Sequence, residues 1–142
     1  MRRTITRLCA LVVFALGLVA CSSSSTLRWL ELKVDDFSKQ PHHIRAATVA
    51  ASDSILVTLI SNPATGFTWP DVAQIHNEDI LTQTDHKHVQ PGQAGAAGAA
   101  GKEAWAFRAL RKGTTTISMG YQRPWESVEG PLWTFAATIT VE

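Results

Sequence analysis

The chain closes on "LWTFAATITV", residues 132–141, in which Trp133, Phe135, Ala137, Ile139 and Val141 fall two apart. Side chains at that spacing share one face of a β-strand. The same signal recurs upstream. In "LRWLELKV", 27–34, Leu30, Leu32 and Val34 alternate with Glu31 and Lys33. "SILVTLIS" (54–61), "EAWAFRAL" (103–110) and "TTTISMGY" (114–121) are rich in β-branched and apolar residues. Weaker strands are predicted near Ala47–Ala50, Phe67–Val72 and Ile80–His88. Outside the N-terminal segment no stretch keeps an apolar period of 3.6 residues, so little helix is expected. Short strands set apart by Gly, Pro, Asn and Ser clusters predict an all-β fold, a β-sandwich.

Not all of the 142 residues belong to that sandwich. "MRRTITRLCALVVFALGLVAC" begins with Arg2, Arg3 and Arg7 and continues as an apolar run from Leu8 to Ala20. The run is shorter than the roughly 20 residues of a membrane span and reads as a secretory signal peptide, residues 1–20. Leu18-Val19-Ala20-Cys21 resembles the lipobox of bacterial lipoproteins. The alternative is an ordinary signal peptide that happens to end in Cys. In the lipobox reading the Cys21 thiol takes the lipid, and residues 21–26, with Ser22–Ser25 and Thr26, form a tether. Five extended residues span at most ~17 Å, so the domain, 27–142, would ride close to the membrane. Ser22 is compatible with sorting to the outer membrane. The expected location is therefore the cell envelope, with the lipid on Cys21 as the membrane contact.

Both cysteines, Cys9 and Cys21, fall in these leading segments. The exported domain is thus expected to hold together by core packing alone, which about 120 residues can do. Charge says little about partners. Without Arg2, Arg3 and Arg7, ten basic residues face twelve acidic ones, and no block of like charge suggests a nucleic-acid surface. A monomer that binds no nucleic acid is expected. No repeat of 20 to 50 residues points to a solenoid.

Catalysis finds no support. No serine sits in a G-x-S-x-G elbow, and no cysteine of the mature chain is free to act as nucleophile. Among the five histidines, His42 and His43 are adjacent and would face opposite sides of a strand. His86 and His88 are two apart and would share a face. A metal site needs three or four ligands, and Asp85 and His76 are additions without supporting spacing. Exposed, solvated histidines are the favoured reading. No metal and no cofactor are expected, and the chain is not expected to be an enzyme.

Three segments remain. "NPATGFTW", 62–69, pairs a bend with two aromatics. Pro63 sets φ near −65° and Gly66 permits φ above zero, so the bend is largely preset. "PGQAGAAGAAG", 91–101, is nearly all Gly and Ala. It reads equally as a spacer or as a loop whose backbone approaches a partner closely. "YQRPWE", 121–126, offers the planar fork of Arg123 and the flat surface of Trp125, with Pro124 stiffening the backbone between them. Arg123 has a local carboxylate pairing as its alternative role, and Trp125 has the core. Pro beside Trp at a strand's end suits a loop tip better.

These segments resemble the chagasin-like inhibitors of papain-family cysteine peptidases. Asn62-Pro63-Ala64-Thr65-Gly66-Phe67-x-Trp69 matches that family's N-P-T-T-G-[FY]-x-W with one change. Gly98-Ala99-Ala100-Gly101 resembles its G-x-G-G loop, with Ala100 in place of a glycine. The run 95–97 looks like a duplication ahead of it. Arg123-Pro124-Trp125 matches its R-P-W. The resemblance implies an immunoglobulin-like β-sandwich with three binding loops at one end. It also implies reversible, tight inhibition of a papain-family cysteine peptidase, whose active-site cleft the loops enter and block. The first loop would sit over the catalytic thiol, and the tryptophan would pack on aromatic surface of the enzyme. In this reading Thr65 contacts the peptidase, because a small polar residue at a loop tip has no packing role to explain it. Phe67 and Trp69 anchor the loop base. An envelope lipoprotein that binds another protein or a cell-wall component through the same loops is the competing expectation.

Overall fold

The computed structural model describes residues 29–90, 100–126 and 130–142. The segments expected to be signal peptide and tether, with Cys21, lie outside these residues, as do Gly98 and Ala99. Eight strands follow in chain order: β1 (Trp29–Val34), β2 (His42–Val49), β3 (Ser54–Ser61), β4 (Gln74–Ile75), β5 (Leu81–Val89), β6 (Gly101–Ala109), β7 (Gly113–Tyr121) and β8 (Trp133–Val141). They form two four-stranded sheets, ordered β1-β3-β6-β5 and β2-β8-β7-β4. β1 runs parallel to β3 and β2 parallel to β8, while the other neighbours are antiparallel. This is the expected all-β, immunoglobulin-like sandwich. Among the described residues the only helical turn is a 3-10 turn at Pro63–Thr65.

The alternation in the sequence becomes the core. From β8, Phe135, Ala137, Ile139 and Val141 point inward and are buried, and Trp133 is half-buried. In the sheet facing β8, Ile55, Val57 and Leu59 of β3 lie beside Trp105 and Phe107 of its neighbour β6, and Ile117 and Met119 of β7 close the interior from the β8 side. Fully burying one such side chain is favourable by about 1.5–3 kcal/mol. No disulfide links the described residues, so the fold rests on this packing.

One predicted weak strand shifts and another does not form. β2 starts at His42 rather than near Ala47. Ile44 is the one strong β-former in its opening "HHIRA", but at a sheet edge one buried face suffices: His43 and Val49 are buried, and Ile44 and Arg45 are exposed. The stretch 67–72 is not a strand. It keeps one bridge, Thr68 with Gln122, and Pro70 lacks the N–H a ladder needs.

The register gathers the loops. Ser61, the last residue of β3, pairs with Gly101, the first of β6. The segment after β3 and the β5–β6 connection thus leave the sandwich at one end. Tyr121, the last residue of β7, reaches the same end, where its hydroxyl accepts a hydrogen bond from the Asn62 N–H at 2.9 Å.

Candidate functional site

The first loop is held from below at several points. Trp69 is buried, and its indole N–H donates to the Ile60 carbonyl at 3.0 Å, closing the loop's base. Thr68 and Gln122 exchange backbone hydrogen bonds of 2.9 and 3.1 Å, tying the first loop to the third. Within the loop, Thr65 N–H donates to Asn62 O at 3.1 Å and Gly66 N–H to Pro63 O at 2.9 Å. Gly66 stands at φ 80°, in the left-handed region that Pro63 and Gly66 together predict. Pro63, Ala64 and Thr65 form the exposed tip.

Thr65 also has a role within its own loop. Its hydroxyl donates to Asn62 O at 2.7 Å and accepts from Phe67 N–H at 3.4 Å. The side chain therefore closes the turn of its own loop, a role that the sequence did not reveal.

Phe67 is half-buried and stacks on Tyr121, with centroids 5.6 Å apart. Tyr121 in turn stacks on Trp133 at 4.7 Å and 9°. On this aromatic column rests the third loop. The Arg123 guanidinium carbon lies 4.5 Å from the Phe67 ring centre, a cation–π geometry. Arg123 Nη1 also donates to Glu126 Oε1 at 2.9 Å, across a turn closed by Glu126 N–H to Arg123 O at 3.1 Å. Trp125 is 68% exposed, so the loop-tip placement holds and the core placement does not. Its six-membered ring leans over Gly66, where an added β-carbon would come within 3.0 Å of Cη2.

Of the second loop, Ala100 is exposed and Gly101 half-buried beside Ser61; Gly98 and Ala99 fall outside the described residues. At its foot, Lys102 Nζ lies 2.8 Å from Asp35 Oδ1. That ammonium, with Lys33 adding to it, holds the Asp35 carboxyl below its ordinary value. The structure thus brings 62–67 and 123–125 into one platform, with the stem of the second loop alongside.

Sequence reasoning missed the supports. Tyr121 is the chain's single tyrosine and directly precedes "QRPW", a signal that was available. Glu103 shares the inward phase of Trp105 and Phe107 and is fully buried, where it accepts the Ser61 hydroxyl at 2.6 Å. A carboxylate in step with two core aromatics was visible in "EAWAF".

The histidines are not all solvated. His43 is buried edge-on against Phe37, at 4.7 Å. His86 is half-buried, stacked on Trp105 at 4.9 Å, with Nε2 3.0 Å from Glu103 Oε2. Burial follows from strand phase: β5 turns His86 toward the sandwich interior, where polar atoms need partners. Asp85 instead faces outward and pairs with Lys87 at 2.9 Å, which holds the Asp85 carboxyl below its ordinary value.

Residues 48–139, a span containing all three loops, match the model of the chagasin family of peptidase inhibitors, I42, and the chain belongs to that family. It is an inhibitor rather than an enzyme. Amoebiasin-2 of Entamoeba histolytica is 28% identical over 93 residues, covering 66% of this chain and 74% of that protein. Chagasin of Trypanosoma cruzi is 31% identical over 87 residues, 59% of this chain and 77% of its own. The fold is similar to that of PbICP-C, solved in complex with falcipain-2. The TM-score is 0.64 at 18% identity, over 80% of this chain and 99% of that one.

Proposed function

We propose that the platform of residues 62–67 and 123–125, with the second loop beside it, fills the active-site cleft of a papain-family cysteine peptidase and blocks it reversibly. The Pro63-Ala64-Thr65 tip lies over the catalytic thiol, and Trp125 packs on the enzyme's surface next to it. The observation that carries this reading is Trp125, a large apolar ring left 68% exposed yet braced against the first loop. Trp and Arg in such settings are typical hot-spot residues. The bend is formed before the enzyme arrives, which lowers the ordering cost of binding. Stiffness also keeps the loop from being cut, because a segment pinned at Asn62, Thr68 and Trp69 does not extend into a substrate-like strand.

Ala64 stands at the tip where the family pattern has threonine, and Ala100 adds a methyl beside the second loop's stem. Titration of the protein against papain and against a serine peptidase tests the reading. Competitive, reversible inhibition of papain alone is expected. No effect on several papain-family enzymes, with the protein in large excess, would overturn it in favour of an envelope-binding role.

The lipid anchor on Cys21 belongs to the same proposal. It rests on the sequence 18–21 and the serine tether, and places the inhibitor at the cell envelope, facing peptidases near the membrane. Cys21→Ser is expected to leave the membrane fraction on cell fractionation. A variant that stays there after loss of the signal peptide refutes the anchor.

A further inference from the structure

Beside the loop platform, at the free edge of the first sheet, several metal-ligating side chains converge. Glu103 is fully buried on β6. Its Oε1 accepts the Ser61 hydroxyl at 2.6 Å, and its Oε2 lies 3.0 Å from His86 Nε2. The His86 ring lies against Trp105, with centroids 4.9 Å apart and planes at 25°. Trp105 is itself fixed, since its indole N–H donates to Pro70 O at 3.0 Å. One imidazole nitrogen is thus committed to a buried carboxylate and the ring cannot rotate freely. The other, Nδ1, is 3.6 Å from Asp71 Oδ1. His88, two residues further along β5, brings a second imidazole 5.1 Å from the first, ring centre to ring centre.

We propose that Asp71, His86 and His88 form a binding site for one divalent transition-metal ion of the zinc class, with Glu103 as the carboxylate that orients His86 from behind. One potential ligand atom from each of the three lies within 4.8 Å of the others. Bonds of about 2.1 Å in a tetrahedral array need ligands ~3.4 Å apart. His86 and Asp71 stand near that separation already. The Asp71 and His88 side chains are 82% and 54% exposed, so both are free to swing inward, while the buried His86 provides the rigid point. Two imidazoles and one carboxylate suit zinc, nickel or copper rather than calcium or magnesium. Water completes the coordination.

The carboxylate–imidazole–metal arrangement is the usual way a protein sets the tautomer and orientation of a ligating histidine. His88 Nδ1 also lies 3.8 Å from Glu103 Oε1, so both imidazoles are held beside the buried carboxylate. What that carboxylate leaves unexplained, and the ion explains, is the second carboxylate, Asp71, facing His86 Nδ1 from the other side. Bound there, it would clip β5 to the segment 70–73 that leaves the first loop, and so brace the loop's base in a domain whose described part has no disulfide. This proposal does not depend on peptidase inhibition.

The test uses the full chain in mild detergent, stripped of metal with a chelator and titrated with zinc chloride by calorimetry. Saturable binding of one zinc per chain is expected, with a rise in the thermal unfolding midpoint. His88→Gln and Asp71→Asn should each weaken binding at least tenfold and abolish the rise, without lowering the midpoint of the metal-free protein. Cobalt in place of zinc should give a four-coordinate absorption spectrum that both variants lose. Glu103→Gln should reduce affinity roughly 10–100-fold, as expected when an outer partner is neutralised. Absence of saturable binding, or binding unchanged in both His88→Gln and Asp71→Asn, overturns the proposal.

Discussion

The missing side chain of Gly66 is what allows the Trp125 indole to lie across the first loop: a β-carbon there would meet Cη2 at 3.0 Å and Cζ2 at 3.2 Å. The two residues come from different loops, and their contact makes one binding surface of two. Gly66 is thus constrained twice, by its φ of 80° and by its neighbour. Gly66→Ala is expected to weaken inhibition, with about 1–3 kcal/mol lost to backbone strain and a further loss from displacing the indole. A double-mutant cycle with Trp125→Ala separates the two parts. The part due to displacement vanishes when the ring is absent, and strict additivity would show that the contact is without consequence.

Trp125→Ala is expected to weaken inhibition by about 2 kcal/mol or more, some thirtyfold in the inhibition constant. Because the ring is 68% exposed, the unfolding midpoint should hardly move. A fall in midpoint with unchanged affinity of the folded protein would assign the ring a packing role instead.

Thr65→Val removes the hydroxyl that donates to Asn62 O. Its loss is expected to cost about 0.5–1.5 kcal/mol of loop order and to speed hydrogen exchange at the Phe67 amide, which the same oxygen accepts. Thr65→Ser keeps the hydroxyl and should inhibit almost normally. Equal affinities for the Val and Ser variants would show that the hydroxyl is idle.

The Asp35 carboxyl is held below its ordinary value of 3.8 chiefly by Lys102, which donates to it at 2.8 Å. A carboxyl depressed in the folded state stabilises it above the unfolded pKa, and that contribution disappears as pH falls through the folded value. The window is therefore below about pH 4. Lys102→Met should lower the midpoint slightly at neutral pH and flatten the acid limb of the stability curve. Since the pair is exposed and easily screened, high salt should produce the same flattening. An acid limb identical in variant and wild type would remove Asp35 from it.

Much was legible in the residues taken in order. Alternation in "LWTFAATITV" and "SILVTLIS" marked strands because a pleated strand exposes its two faces in turn, whatever it later packs against. Pro63 and Gly66 marked the bend because their backbone preferences are local. The pattern around Asn62, Arg123 and Trp125 was enough to point to a peptidase-inhibitor family. Other features depend on partners far apart in the chain, and sheet register decides which residues meet. β3 and β6 must pair Ser61 with Gly101 before Glu103 can accept the Ser61 hydroxyl. β5 must turn inward at His86 before that ring can lie on Trp105 and face Asp71. Strand phase, set by burial of the apolar set, carried these polar residues inside, and there each had to find the hydrogen-bond partner that the tertiary fold supplied.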